Sequence, residues 1–140
     1  MDAIQRTKVN MTVYIGNYPV STDNNTAYER QRGEIDQAIK DFGVQNIGGV
    51  TVGNEWMLNY VTAHGTNDPN SAIAEPGAQM LIADIDDTRS NLTAQGLTLQ
   101  VGTSDAGSYF NNDVLEKVDY GVLVINIAFQ ALSHIPSLAL

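Results

Sequence analysis

Ile47-Gly48-Gly49-Val50-Thr51-Val52-Gly53-Asn54-Glu55 (residues 47–55) is the stretch on which the fold turns. Ile47 to Gly53 is short, partly β-branched and nearly continuous in apolar character, which suits a strand covered on both faces, as in a parallel sheet. Its carboxyl end then changes to Asn54 and Glu55, polar residues at the edge where parallel α/β folds hold their ligands.

Three other stretches share this character: Thr12-Val13-Tyr14-Ile15-Gly16, Leu97-Thr98-Leu99-Gln100-Val101-Gly102, and Tyr120 to Ile127. Between them lie helical patterns. From Thr26 to Phe42 the apolar residues Tyr28, Ile35, Ala38, Ile39 and Phe42 fall on one stripe, with Thr22 or Asp23 to cap the start and Gly43 to end it in a left-handed conformation. A second helix begins at Pro76 and stops before Gly96, with Ala78, Leu81, Ile82, Ile85 and Leu92 as its core stripe. A short helix covers Asn112 to Lys117, and Asn59 to Glu75 reads as a long polar connection of the kind that serves a site or stays disordered. Strands alternating with helices predict βαβ units and a parallel sheet. A doubly wound sheet and part of a (β/α)8 barrel both fit; 140 residues would cover about half of such a barrel.

Composition narrows the partners. Seven basic residues against 16 acidic ones give a net charge of -9, so neither nucleic acid nor an anionic membrane surface finds the basic face it needs. A neutral ligand, such as a sugar, meets no such objection. Hydrophobic residues make up 43%, enough for a globular core, and the absence of cysteine removes disulfides, thiolate nucleophiles and cysteine zinc sites. The longest apolar run, Tyr120 to Leu132, is interrupted and too short to span a bilayer. Met1 to Lys8 contains no apolar run of signal-peptide length, so these residues are not expected to act as an export signal.

Glu55, leaving a buried strand, is expected to be partly desolvated and pushed toward general-acid range, with Asn54 beside it to bond a ligand hydroxyl; a strand-ending glutamate that simply reaches solvent is the competing account. Asp105 closes the next strand on the same rim, near Ser108 and Tyr109, although an Asx turn with Gly107 explains it as well. Tyr18, ending the first strand, is positioned to stack on a sugar ring or to shape the turn before Pro19. Asp84, Asp86 and Asp87 scatter along the second helix and read as a solvated face. His64 and His134 lack ligand partners, so no metal or other cofactor is expected. Trp56 reads as a core anchor ahead of a sugar platform.

Gly49-Val-Thr-Val-Gly-Asn-Glu55 is similar to the acid/base strand of the family 17 glycoside hydrolases, the fungal and plant β-1,3-glucanases. Val101-Gly-Thr-Ser-Asp-Ala-Gly-Ser-Tyr-Phe-Asn-Asn112 resembles the next barrel strand and loop of the fungal members, Val114-Leu-Glu-Lys-Val-Asp-Tyr-Gly121 the approach to the strand after it, and Met11 to Asn17 the strand before. The similarity runs in order from about residue 3 to residue 121. It implies an α/β fold of the (β/α)8 TIM-barrel family, present here as a partial barrel of strands 3 to 6. It also implies a retaining glycosidase acting on β-1,3-glucan of the fungal cell wall, with Glu55 as general acid/base and Asn54 binding near the sugar 2-hydroxyl. Asp105, Tyr109 and Tyr18 are the further substrate-binding candidates on that reading, and the cell wall or extracellular space is the implied location.

Two departures accompany the resemblance. The family nucleophile sits in a Glu-Thr-Gly-Trp-Pro-like motif that does not occur in these 140 residues, and the Asn-x-His-Pro-aromatic segment expected after Gly121 is replaced by Val122-Leu-Val-Ile-Asn-Ile-Ala-Phe. Residues 1–121 are therefore expected to form a partial catalytic domain and 122–140 a divergent tail, as a gene-model artefact would produce. The expected consequences are an inactive chain and self-association through open barrel edges. A non-catalytic carbohydrate-binding or interaction protein on a half barrel is the alternative.

Overall fold

The computed structural model describes residues 1–125. Their elements, in chain order, are α1 (Asp2–Thr7), β1 (Val13–Asn17), α2 (Thr26–Phe42), β2 (Ile47–Asn54), α3 (Trp56–Ala63), α4 (Glu75–Ala94), β3 (Gln100–Ala106), a 3₁₀ turn (Gly107–Tyr109), α5 (Asn112–Leu115) and β4 (Tyr120–Val124). The four strands form one sheet in the order β1-β2-β3-β4, every neighbouring pair parallel. Among the described residues strand order follows chain order with no reversal. The expected α/β class with parallel strands is therefore observed. The distal part of the expected fourth strand, His134, Pro136 and most of the divergent tail lie outside the described residues.

The register explains which face becomes the core. Ile15 pairs with Val50 and Val50 with Val101, so these residues share a face with Val52, and the three valines are fully buried. Tyr28, Ile35 and Ile39 of α2 and Ala78, Leu81, Ile85 and Leu92 of α4 complete that core. Gly49, Thr51, Gly102 and Tyr120 belong to the opposite face, where the Tyr120 hydroxyl and the Thr51 hydroxyl are 2.9 Å apart and the Tyr14 and Tyr120 rings meet edge-to-face at 5.1 Å. Tyr14 is 55% exposed there. Glycine is required under Tyr120: a Cβ on Gly102 would come within 2.3 Å of its ring, and one on Gly49 within 2.8 Å of the Gln100 carbonyl.

Helix signals were partly legible. The Asp23 carboxylate accepts the Ala27 N–H at 2.9 Å, and Gly43 closes α2 at φ 68° while donating to the Ile39 carbonyl. Three expectations are corrected. The polar connection expected from Asn59 begins only after α3, and its remainder is tied down, because Asn111 donates to the Pro69 carbonyl and Asn70 accepts the Asn112 N–H. The third strand starts later and runs farther than Leu97–Gly102, through Thr103, Ser104 and Asp105, whose polar side chains are buried against neighbouring elements. Asp84 does not lie on a solvated face. It is 3% exposed, because α4 packs over the start of α2 and Asn25 donates to Asp84 Oδ1 at 2.8 Å. Its Oδ2 is buried without a partner, and desolvation, with the charges of Asp87 and Asp23 adding, pushes its pKa up to about 6.

Candidate functional site

The carboxyl ends of β1, β2 and β3 form one rim. At β2 the ladder to β3 is irregular between Thr51 and Asn54, Gly53 takes φ 83° and Glu55 takes φ 52°. A left-handed glutamate is a strained conformation that its surroundings must enforce. The Glu55 N–H donates to the Ser104 carbonyl at 2.9 Å and its own carbonyl accepts from Asn59. Asn54 points outward, its Oδ1 accepting from the Ser104 hydroxyl at 2.9 Å, which leaves its amide nitrogen for a ligand.

Asp105 supplies the enforcement. Its Oδ2 accepts the Met57 N–H at 2.8 Å and its Oδ1 the Ala106 N–H at 2.9 Å, with Leu58 as a further backbone donor. The carboxylate thus caps the first turn of α3 from a neighbouring strand. Burial pushes its pKa up to about 6 against the opposing amide bonds, and the Glu55 charge adds to the rise. It is only 2% exposed. Asp105 is therefore occupied with the backbone and fixes the geometry around Asn54 and Glu55; the local N–H it accepts is that of Ala106, so the expected Asx turn with Gly107 is not what holds it.

A cleft of about 350 Å³ opens between the first two strand ends, lined by Tyr18, Val20, Ser21, Asn54, Trp56 and Asn59. Gln31 holds its wall in place, accepting the Tyr18 N–H at 2.9 Å and donating to the Tyr18 carbonyl at 3.0 Å. Tyr18 and Asn54 are brought together here. Tyr109 is not among the cleft residues: it lies in the 3₁₀ turn after β3, half-buried against the core. Trp56 is an anchor first, buried with its indole N–H donating to the Gly77 carbonyl at 2.8 Å, and it shows only an edge to the cleft. Asn59 is not among the residues the sequence singles out, because the polar connection is expected to start there, whereas it lies on α3; the apolar run Trp56-Met57-Leu58 followed by Tyr60-Val61 is the helix signal. A second cavity, about 360 Å³, lies at the amino ends of β3 and β4 around Arg89 and Asp119, away from every rim residue.

The lining combines an exposed tyrosine ring, two side-chain amides and a hydroxyl, a set suited to a neutral, hydroxyl-bearing ligand. Among the described residues no three His, Cys, Asp or Glu side chains come together as a metal site. No helix among them is long and apolar enough to cross a membrane. No protein-family model, curated protein or solved structure matches this chain.

Proposed function

We propose that this chain is the central part of a retaining glycosidase of the family 17 type, comprising strands 3 to 6 of a (β/α)8 barrel and acting on β-1,3-glucan at the fungal cell wall. The observation that carries the reading is that Asn54 lines a cleft with Tyr18 at the carboxyl end of β2, and that Glu55, the next residue but not itself one of the lining residues, sits there in a strained turn. The unreversed strand order supports the barrel over a doubly wound sheet, whose order reverses at a switch point. In this scheme Glu55 donates a proton to the glycosidic oxygen and later takes one from water, Asn54 orients the sugar by its amide, and Tyr18 stacks on a ring.

A retaining cycle also needs a second carboxylate about 5–5.5 Å from the first. Asp105, on the neighbouring strand end, has its oxygens engaged by backbone amides and is not free to serve as that group. That observation favours a second reading for the 140-residue chain by itself, a carbohydrate-binding protein without turnover.

Laminarin separates the two. Turnover that disappears in Glu55→Gln supports the enzyme; saturable binding of laminari-oligosaccharides without turnover, unchanged in Glu55→Gln, supports the binder. In either case Tyr18→Ala and Asn54→Ala are expected to weaken oligosaccharide binding by about 5–30-fold each, the loss of one stacking or amide contact. Isothermal titration reads this directly, and unchanged affinity in both variants would remove the cleft from consideration.

A further inference from the structure

The sheet leaves two strand edges without partners among the described residues. β1 pairs only with β2 and β4 only with β3. Exposed edges invite pairing with another chain, and proteins generally cover them. Here the two edges match: each is five residues long, and both run in the same direction. Exposed large hydrophobic side chains also concentrate in the chain segments around these two strands. Nine of the eleven, among them Met11, Tyr14, Val122 and Leu123, lie within five residues of β1 or β4 along the chain, and none lies on β2 or β3. The face between the edges also stays open at Tyr14, although parallel sheets are normally covered on both sides.

A two-fold axis parallel to the strands resolves all three features in one operation. Such a rotation preserves strand direction, so it sets β4 of one copy beside β1 of the other in parallel and forms the second, identical junction at the same time. Eight parallel strands then close into a ring, the number at which an interior is just filled by side chains. The Tyr14 and Tyr120 rings of each copy point into that interior, while α2 and α4 remain outside on the valine face. A junction between two β1 edges, by contrast, would leave both β4 edges and their apolar residues in water. We propose that a second copy of this chain covers the open face, through reciprocal β1–β4 pairing into a closed eight-stranded barrel. This inference rests on the second reading, the 140-residue chain by itself, because in the first the other barrel strands occupy both edges; its readout is mass, so its failure is distinguishable from loss of glucan binding.

Light scattering and sedimentation velocity on the 140-residue chain test it. The expected species between about 10 and 100 µM has twice the 15.1 kDa chain mass. Because each copy carries a charge of -9, the dimer is expected to tighten as salt screens the repulsion. Leu123→Glu and Met11→Glu, at exposed positions beside opposite edges, should each weaken dimerisation at least tenfold with an unchanged far-ultraviolet circular dichroism spectrum. Ile73→Glu, comparably exposed and away from both edges, should not. Two edge variants are used so that one that fails to fold leaves the other as the reporter. A monomer at 100 µM, an open-ended series of larger assemblies, or a dimer indifferent to the edge variant that folds would each overturn the proposal.

Discussion

Trp56→Ala is expected to destabilise the fold by about 3–5 kcal/mol, the range for deleting a buried tryptophan. The indole is 5% exposed and ties α3 to α4 through its bond to the Gly77 carbonyl. The same contact is tight on its other side, where the Tyr60 ring lies so close to Gly77 that a Cβ there would sit 2.5 Å away. Little relaxation is available to fill the hole. Against a total stability of about 5–15 kcal/mol such a loss leaves a marginal protein. Trp56→Phe keeps most of the burial and gives up the hydrogen bond, for about 1–2 kcal/mol. Urea denaturation followed by circular dichroism gives both values. A Trp56→Ala midpoint equal to the parent's would refute the anchoring role.

The second large effect is a stability that falls as pH rises. Asp84 and Asp105 both hold their protons up to about pH 6 in the fold, whereas an unfolded aspartate ionises near 3.8. Below pH 3.8 both states carry these protons. Between 3.8 and 6 the unfolded chain releases them and the native chain does not, so the native state progressively loses its advantage, and the loss is complete above about 6. Each group contributes on the order of 1–2 kcal/mol after allowance for nearby water, and relief of self-repulsion in a chain of charge -9 acts in the same direction. Asp119 opposes the trend at the acid end. Its carboxylate is held below the usual range by the Val101 N–H and Arg89, so its contribution is lost on acidification below about 4. The melting temperature should therefore be higher at pH 5 than at pH 8, and Asp84→Asn should flatten the slope. A melting temperature that rises from pH 5 to pH 8 would contradict the assignment.

What was legible in the sequence was local. The strand at residues 47–54 announces itself by β-branched and glycine content with Asn54 at its end, and α2 by a stripe, a capping aspartate and a terminal glycine. What was hidden depended on residues distant in the chain. The start of α3 has no serine or threonine of its own to mark it, since its capping carboxylate arrives from Asp105, 48 positions beyond Met57. The apolar pattern stops at Gly102, and although Asp105 reads as a strand end, the burial of polar Thr103, Ser104 and Asp105 cannot be read without the helix they serve. Asp84 looks solvated by spacing alone, and only the packing of α4 over Asn25 removes it from water. For the candidate site, Asn54 and Tyr18 were legible as strand ends, whereas the contributions of Asn59 and Gln31 required the tertiary fold.

The capping of α3 from β3 has a kinetic consequence. A helix of eight residues is too short to persist alone in water, and this one has no local signal to begin it. Its first turn can be satisfied only after a chain segment nearly fifty residues later has docked, so α3 should assemble late, together with β3, and open with it. Native-state hydrogen exchange would show the Met57 and Leu58 amides sharing the opening free energy of the Val101–Ser104 amides. The rim that holds Asn54 and Glu55 would then form or dissolve as one cooperative unit.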